Sequence, residues 1–518
     1  MTTGSAIIRN FYRDSVALMR LSSQLSERPN INQASAVMAT ETNQALLRDA
    51  GLLAENVAAG PNDLLVVVDG KSDAAVAETL AAARSALDQK PTLHDGGRRN
   101  NPPPRSIQMG LERAPEANLA IISTPGLYAS AEAFKALRLG LNVMLFSDNV
   151  GAEDELALKQ CARARQLLVM GPDCGTAILN GVPLGFANVV QRGAIGVVAA
   201  SGTGAQLVTC LIDRFGEGVS QAIGTGGHDL SREVGGVTTL QGLEALGDDE
   251  ETKVVVLISK PPSQEVAEKT LDRASSLGKP VVVCFLGADN RAVARPNVTP
   301  ARTLEEAARL AVVLAGARAP QLFSPVLPAQ MPELSPEQKY VRGLYSGGTF
   351  CFEAALLLGE RASPVFTNTP VGVAERLPDV WKSQGHTLID LGDDVFTRGR
   401  PHPMIDHRLR NERIVREAAD PGTAVIVLDV VLGYGSHPNP AGEVVPAIAA
   451  ARARASESGR QIAFVGFVCG VEGDPQVLSK QEAALAEAGV ILAQSSAQAI
   501  ELAAKLIDAT GKEGRNAK

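Results

Sequence analysis

Cysteine is scarce and unpatterned in this 518-residue chain: six residues, scattered singly, with no Cys-x-x-Cys pair. That spacing excludes a disulfide-stapled scaffold and points to a reducing cytosol. Aromatic residues make up only 4%, with a single Trp, so the stacking platforms used to bind single strands are lacking. Positive charge is short as well. Lys+Arg 49 against Asp+Glu 57 leave a net charge of −8, which argues against nucleic acid as a partner. No apolar run approaches the span of a bilayer, and the first residues, with Arg9 and Arg13 among them, lack a signal-peptide core. The expectation is a cytoplasmic protein without membrane or nucleic-acid partners. What the chain does have is a hydrophobic content of 45% and the length for three or four domains of ordinary size.

The chain is organised around Gly196-Val197-Val198-Ala199-Ala200 followed by Ser201-Gly202-Thr203-Gly204 and the apolar-periodic run from Ala205 to Ile212. This reads as a buried strand, a glycine turn and a helix whose first turn carries no bulk. The first N–H groups of a helix lack internal acceptors and the macrodipole makes that end positive, so Ser201 to Ala205 is a candidate phosphate or acyl-phosphate cradle. Strand, glycine turn and helix also describe any α/β crossover, and Ser-Gly-Thr-Gly matches neither Walker A nor GxGxxG. A second copy strengthens the functional reading. Ser346-Gly347-Gly348-Thr349 follows a strand-like segment and precedes a helical run, which suggests two related domains aiming helix N-termini at one shared site.

Residues 1–94 read as a small α/β region, with helices at 11–25, 43–50 and 74–87 and strands at 36–39 and 64–68. Residues 95–110, with three arginines among glycines and prolines, read as a linker. Regular strand–helix alternation begins at Leu119 and implies a mainly parallel sheet, which binds ligands at the carboxyl ends of its strands. There the candidate rim is Ser123 and Pro125, Ser147, Asp148 and Asn149, and Pro172, Asp173 and Cys174, although turn chemistry alone also favours these residue types. This Rossmann-like domain is assigned to 111–192, a first following domain to 193–319, a proline-rich linker to 320–340 and a second domain to 341–510.

In the first of these domains Gly226 and Gly227 would let a ligand approach closely, and His228 with Asp229 would supply acid–base chemistry, or else form a hydrogen-bonded loop. In the second, a strand delivers Asp390, Asp393 and Asp394, followed by Arg398, Arg400 and His402. The arginines would fork onto a carboxylate or phosphate, or would close an ion-pair loop with the aspartates. No metal is expected: His402, Asp406 and His407 are interrupted by Pro403, and nothing resembles HExxH.

Over most of 119–500 the chain resembles the succinyl-CoA synthetase superfamily. The likeness rests on Gly171-Pro172-Asp173-Cys174, on Ser201-Gly202-Thr203 and on Ile223-Gly224-Thr225-Gly226-Gly227, with the half from Val341 similar to a β-subunit ligase domain. The implied fold is α/β: a Rossmann-like CoA-binding-type domain followed by two flavodoxin-like ligase domains with mainly parallel sheets. More closely, Phe11-Tyr12-Arg13-Asp14-Ser15, residues 142–175, Asp229 to Gly236, and Gly399 to Asp406 resemble the FdrA family. Two departures matter. The synthetases phosphorylate a histidine on a loop that here runs from Leu286 to Pro296 without one, and no stretch reads as an ATP-grasp domain. A phosphate pocket without the shuttle implies direct transfer of an acyl-type group to or from phosphate. The FdrA resemblance implies the same, since one member is a subunit of oxamate carbamoyltransferase in anaerobic allantoin use. The expectation is therefore an enzyme subunit, active in a hetero-oligomeric complex, that moves a carbamoyl group between oxalurate or oxamate and phosphate. In that expectation Ser201, Gly202, Thr203, Gly204, Gly226, Gly227, Ser346, Gly347, Gly348 and Thr349 hold phosphate, and Arg400, His402 and His228 serve the small-molecule substrate. No cofactor is required within the chain, phosphate or carbamoyl phosphate is a substrate, and CoA binding stays open. The alternatives are a CoA ligase whose ATP-grasp domain lies on another polypeptide, and a non-catalytic scaffold subunit.

Overall fold

A computed structural model describes residues 2–54, 57–88, 104–318, 320, 331–398 and 400–516. Most of the 95–110 linker, residues 321–330 of the second linker, and Gly399 lie outside the described residues. The chain forms two compact units, Met1–Val169 with Asp394–Asp406, and Met170–Asp393 with His407–Lys518.

The first unit opens with β1 (Thr2–Ile8), α1 (Ser15–Ser26), β2 (Ile31–Met38), α2 (Glu41–Asp49), β3 (Leu64–Gly70) and α3 (Asp73–Asp88). The strands form an antiparallel sheet in the order β1-β3-β2. Its central strand is apolar on both faces: Leu64, Val66 and Val68 pack in one core with Leu18, Leu21 and Leu25, while Leu65 and Val67 pack in another with Leu47, Leu52 and Leu53. Thr-Thr-Gly-Ser carries no strand pattern of its own, and pairing to β3 makes β1 a strand. The helix expected from residue 11 starts at Ser15, where Asp14 accepts the Ala17 N–H at 2.9 Å and caps it. After α4 (Ile107–Arg113) come β4 (Leu119–Ile122), α5 (Gly126–Arg138), β5 (Asn142–Leu145), α6 (Ala152–Arg163) and β6 (Val169–Met170). These three strands form a sheet in which β4 and β5 run parallel.

The second unit contains two seven-stranded sheets. The first is built from β7 (Thr176–Leu179), β8 (Val182–Gly185), β9 (Ile195–Ala199), α7 (Gly202–Arg214), β10 (Val219–Gly224), α8 (Val237–Asp248), β11 (Val254–Ser259), α9 (Gln264–Ser275), β12 (Val281–Phe285), α10 (Asn290–Val293), β13 (Val298–Pro300) and α11 (Leu304–Leu314). Its order is β13-β12-β11-β9-β10-β7-β8. The five strands from β9 to β13 are parallel and in the flavodoxin-like order 2-1-3-4-5. Residues 176–185, assigned from sequence to the preceding domain, instead pair antiparallel onto β10 and complete this sheet. The second is built from β14 (Tyr340–Tyr345), α12 (Gly348–Gly359), β15 (Val365–Thr367), β16 (Glu375–Arg376), β17 (His386–Asp390), α13 (Asp394–Thr397), α14 (Arg408–Ala419), β18 (Thr423–Val431), α15 (Pro440–Ser456), β19 (Ala463–Cys469), α16 (Leu478–Glu487), β20 (Ile491–Ala493) and α17 (Ser496–Asn516). Its order is β16-β15-β17-β14-β18-β19-β20, parallel throughout, although α13 belongs to the first unit.

Strands buried on both faces read as unbroken apolar runs. All five residues of β9 and all nine of β18 are buried, so Asp429 inside β18 must find its partners within the protein. Both sheets reverse their winding beside one strand. The chain leaves β9 toward β10 on one side and returns to β11 on the other; it leaves β14 toward β15 and β17 and returns to β18. Such switch points open a crevice at the carboxyl ends of the strands, where α/β proteins bind ligands.

Candidate functional site

The two switch points are where α7 and α12 begin. Ser201 follows β9 in extended conformation and caps α7, its hydroxyl accepting the Gly204 N–H at 3.0 Å. Gly347 caps α12 without a side chain. The two helix starts meet: Ser201 Oγ and Thr349 Oγ1 are 2.5 Å apart. The pairing read from Ser-Gly-Thr-Gly and Ser-Gly-Gly-Thr is thus a physical contact between the two halves of the second unit.

Not every expected donor is available. The N–H groups of Ser346 and Gly347 donate to the two oxygens of Asp429 at 2.7 and 3.0 Å, and the Gly204 N–H is held by Ser201. Among the described residues, the N–H groups of Gly202, Thr203, Gly348 and Thr349 have no acceptor. The cradle is therefore narrower than the motifs imply: two N–H groups from each of two converging helices, with their dipoles reinforcing each other.

Beneath α12 lies a buried polar network whose members are far apart in sequence. Arg410 on α14 donates from Nη1 to Ser346 Oγ at 2.8 Å, to the Asp429 carbonyl at 2.6 Å and to Asp429 Oδ1 at 3.2 Å, while Nη2 lies 2.9 Å from His407 Nδ1. Neither Arg410 nor Asp429 reaches solvent. Burial pushes the Asp429 carboxyl up and the Arg410 guanidinium down, and their mutual attraction opposes both shifts. The signal was a lone aspartate in a nine-residue buried strand. Its partner is about a helix away and has no signature.

Other expected residues take structural places. The Gly171–Asp173 turn packs against Gly226, where φ is +86° and a Cβ would lie 2.3 Å from the Pro172 carbonyl, so the turn requires glycine there. Gly227 is exposed next to it. Cys174 is buried, its thiol donating to the Gly224 carbonyl at 3.4 Å, and so lies under the turn rather than on a ligand rim; Asp173 is exposed with φ +55°. Asp229 does not serve His228. Its oxygens accept the Thr238 and Thr239 N–H groups and the Thr239 hydroxyl, anchoring the start of α8, while His228 is exposed.

In the first unit Ser147 Oγ donates to the Thr124 carbonyl at 2.5 Å, which joins the ends of β4 and β5, and a Cβ on Gly126 would lie 2.4 Å from the Asp148 carbonyl. Ser123, Pro125, Ser147, Asp148 and Asn149 thus gather at one edge. Arg400 and His402 also belong to the first unit. Arg400 is exposed; His402 is half-buried, accepts the Met404 N–H at Nδ1, and is pushed down to about 4 by burial, so it is neutral at neutral pH. A crevice of about 390 Å³ lined by Gly247, Asp248, Lys253 and Lys279 lies at the opposite, amino-terminal edge of the first seven-stranded sheet. Among the described residues no three His, Cys, Asp or Glu side chains are placed to hold a metal, and no helix is long and apolar enough to cross a membrane.

Known proteins are similar to this chain in sequence. The chain is 44% identical over 513 residues to the protein YahF of Escherichia coli (strain K12), covering 98% of this chain and 99% of that one. It belongs to the YahF family. Domain-family models match in three places: the AllF heavy metal-associated domain at 1–103, the CoA binding domain at 190–287 and CoA-ligase at 344–506. The first of these segments contains no cysteine. The second spans β9 to β12 and includes the α7 start; the third begins one residue before the end of β14 and includes the α12 start. The chain thus carries CoA-binding and CoA-ligase domains of the succinyl-CoA-synthetase type. Over 175 residues the chain is 29% identical to succinate–CoA ligase [ADP-forming] subunit alpha 1 of Archaeoglobus fulgidus, covering 33% of this chain and 58% of that subunit. Over 192 residues it is 27% identical to the ADP-forming sulfoacetate-CoA ligase subunit SauD of Bilophila wadsworthia, covering 35% of this chain and 63% of that one. Among solved structures, the dinucleotide-forming acetyl-coenzyme A synthetase 1 of Ca. Korarchaeum cryptofilum matches 76% of this chain and 83% of its own at 14% identity and a TM-score of 0.32, a likeness too loose to argue from.

Proposed function

We propose that this chain is an FdrA-type subunit of a phosphate-dependent acyl transferase, an oxamate carbamoyltransferase that moves a carbamoyl group between oxalurate or oxamate and phosphate in allantoin and purine-nitrogen breakdown. The observation that carries the reading is the meeting of two helix starts at Ser201 and Thr349 with four N–H groups left without acceptors. Charge develops on phosphate and on the carbonyl oxygen during such a transfer, and oriented N–H donors stabilise both without reorganising. The loop from Leu286 to Pro296 has no histidine to relay phosphate, so the acyl group passes to phosphate directly. Arg400 and His402, expected from sequence to orient the substrate, lie in the first unit and are given no part in this cradle, and other subunits complete the enzyme. In this reading 111–192, expected from sequence to be the CoA-binding-like domain, is followed by ligase-type domains at 193–319 and 341–510, although the CoA binding domain model falls on 190–287 and so on the second of these three.

The test is to supply the assembled complex with carbamoyl phosphate and oxamate. Release of inorganic phosphate with formation of oxalurate is expected, and silence with all subunits present sinks the reading.

A second reading is supported by the CoA binding domain match and by the edge at β4 and β5, where among the described residues Ser123 Oγ and Thr124 Oγ1 are buried without a hydrogen-bond partner. It makes the chain the CoA-handling subunit of a ligase whose nucleotide-binding domain lies on another polypeptide. ATP- and CoA-dependent thioester formation would decide for it.

A further inference from the structure

Beside the four N–H groups stand a cation and a carboxyl group that the transfer described above leaves unused. Lys260 follows β11, and its ammonium lies 5.3 Å from the centroid of the Phe352 ring on α12. A side chain from the first seven-stranded sheet thus reaches α12 of the second. Asp390 ends β17. Its backbone is clipped by the buried amide of Asn368, which accepts the Asp390 N–H at 2.9 Å and donates to the Asp390 carbonyl at 3.0 Å. One carboxyl oxygen accepts the Gly392 N–H at 2.9 Å. The other, Oδ2, faces the first turn of α12, 2.4 Å from where a Cβ on Gly348 would lie. The space a side chain would take is filled by the carboxyl group, beside the unaccepted Gly348 and Thr349 N–H groups.

We infer that Asp390 is the proton carrier of this site and that Lys260 is the cation holding the phosphate dianion beside it; this rests on the transferase reading. A phosphate oxygen bonds to the carbamoyl carbon of the donor, and its proton passes to Asp390 Oδ2. The carbon–nitrogen bond then breaks with its electron pair going to nitrogen, and the proton on Oδ2 passes to that nitrogen. One C–O bond forms, one C–N bond breaks, the proton count is unchanged and Asp390 returns to its carboxylate. The groups bearing on Asp390 are Lys260, Asp393 and Asp429, with the Cys351 thiol on α12. Burial pushes its carboxyl up to about 6, the Lys260 charge opposing that shift and the two aspartates adding to it. Because the carboxylate form accepts the proton, turnover falls as pH drops through about 6.

The test has two arms. Calorimetric titration of the full chain with inorganic phosphate should show binding that Lys260→Ala weakens about tenfold or more, the loss of one charge-assisted contact. Absence of binding to the unmodified chain overturns the transferase reading itself, whereas equal binding by the chain and Lys260→Ala overturns only the role of Lys260. In the complex with its partner subunits, Asp390→Asn should lower turnover of carbamoyl phosphate about 10²- to 10⁴-fold with phosphate affinity unchanged, and abolish the acid limb near pH 6. Asp390→Glu, which keeps the carboxyl group, should restore part of the rate. Turnover that is unchanged in Asp390→Asn, or an acid limb that survives there, overturns the proton-carrier role.

Discussion

At the scale of single residues, the buried ion pair under α12 decides whether the site keeps its shape. Asp429 uses both oxygens on the Ser346 and Gly347 N–H groups, and Arg410 holds both Asp429 and Ser346. Removing one partner leaves an uncompensated buried charge, so Arg410→Ala is expected to cost about 3–5 kcal/mol by urea denaturation. A fall of under 1 kcal/mol would mean that water or another cation replaces it. Glu353 makes a different case. It accepts the Leu304 N–H at 2.8 Å and the Ser496 hydroxyl, and burial pushes it from 4.5 up to about 7. The native state therefore binds this proton more tightly than the unfolded chain. The associated stability is fully present below about 4.5 and is lost as pH rises to about 7, after which it is flat. Replacing the carboxyl by an amide removes that slope. Glu353→Gln should gain on the unmodified chain between those pH values by up to roughly 3 kcal/mol, read as urea midpoints across the pH series; parallel curves would refute it.

At the scale of elements, the strand–helix starts at Ser201 and Ser346 were legible because a buried apolar strand, a small-residue turn and a helical period coincide in the sequence. What the turns do was only half legible. Backbone N–H groups have no sequence signature, so nothing near Ser346 and Gly347 announced that a residue 82 or 83 positions away would take their donors. The same limit applies to β1, β7 and β8, whose strand character comes from partners and not from their own pattern. It applies also to Gly226, which reads as an opening for a ligand and is in fact a close contact. At φ +86°, with a Cβ placed 2.3 Å from the Pro172 carbonyl, a side chain there meets both strain and backbone. Gly226→Ala is expected to lower stability by about 1–3 kcal/mol, measured by thermal or urea unfolding. Gly227→Ala is the control: it has no positive φ and its nearest neighbour within 4 Å of an added Cβ is Asp173 Oδ2 at 3.9 Å, so it should change little.

At the scale of the whole molecule, the site exists only while the two seven-stranded sheets of the second unit hold their helix starts together, and the bonds that do this are buried and polar. Asp474, after β19, accepts Asn188 Nδ2 at 2.7 Å and the Val189 N–H at 2.8 Å from the segment before β9, and the Val471 N–H at 2.8 Å. Glu305 on α11 accepts Gln498 Nε2 on α17 at 2.6 Å and the Ser495 hydroxyl, and Glu353 on α12 joins α11 to α17. Each clamp crosses between residues far apart in sequence, which is why none was foreseen from local pattern. Their consequence is cooperativity: the two sheets should unfold in one transition. Asp474→Ala strips three donors of their acceptor, two of them buried and each of those worth about 1–3 kcal/mol when left unmade, without touching Ser201, Thr349, Lys260 or Asp390. Calorimetry should then show either one transition at a lower midpoint or two separated ones. Phosphate binding should weaken in both cases, because the N–H groups of Gly202 and Thr203 are no longer held against those of Gly348 and Thr349. Wild-type phosphate affinity together with a split melt would show that each helix start binds alone, and would remove the reason for supposing that two domains were fused to make one site.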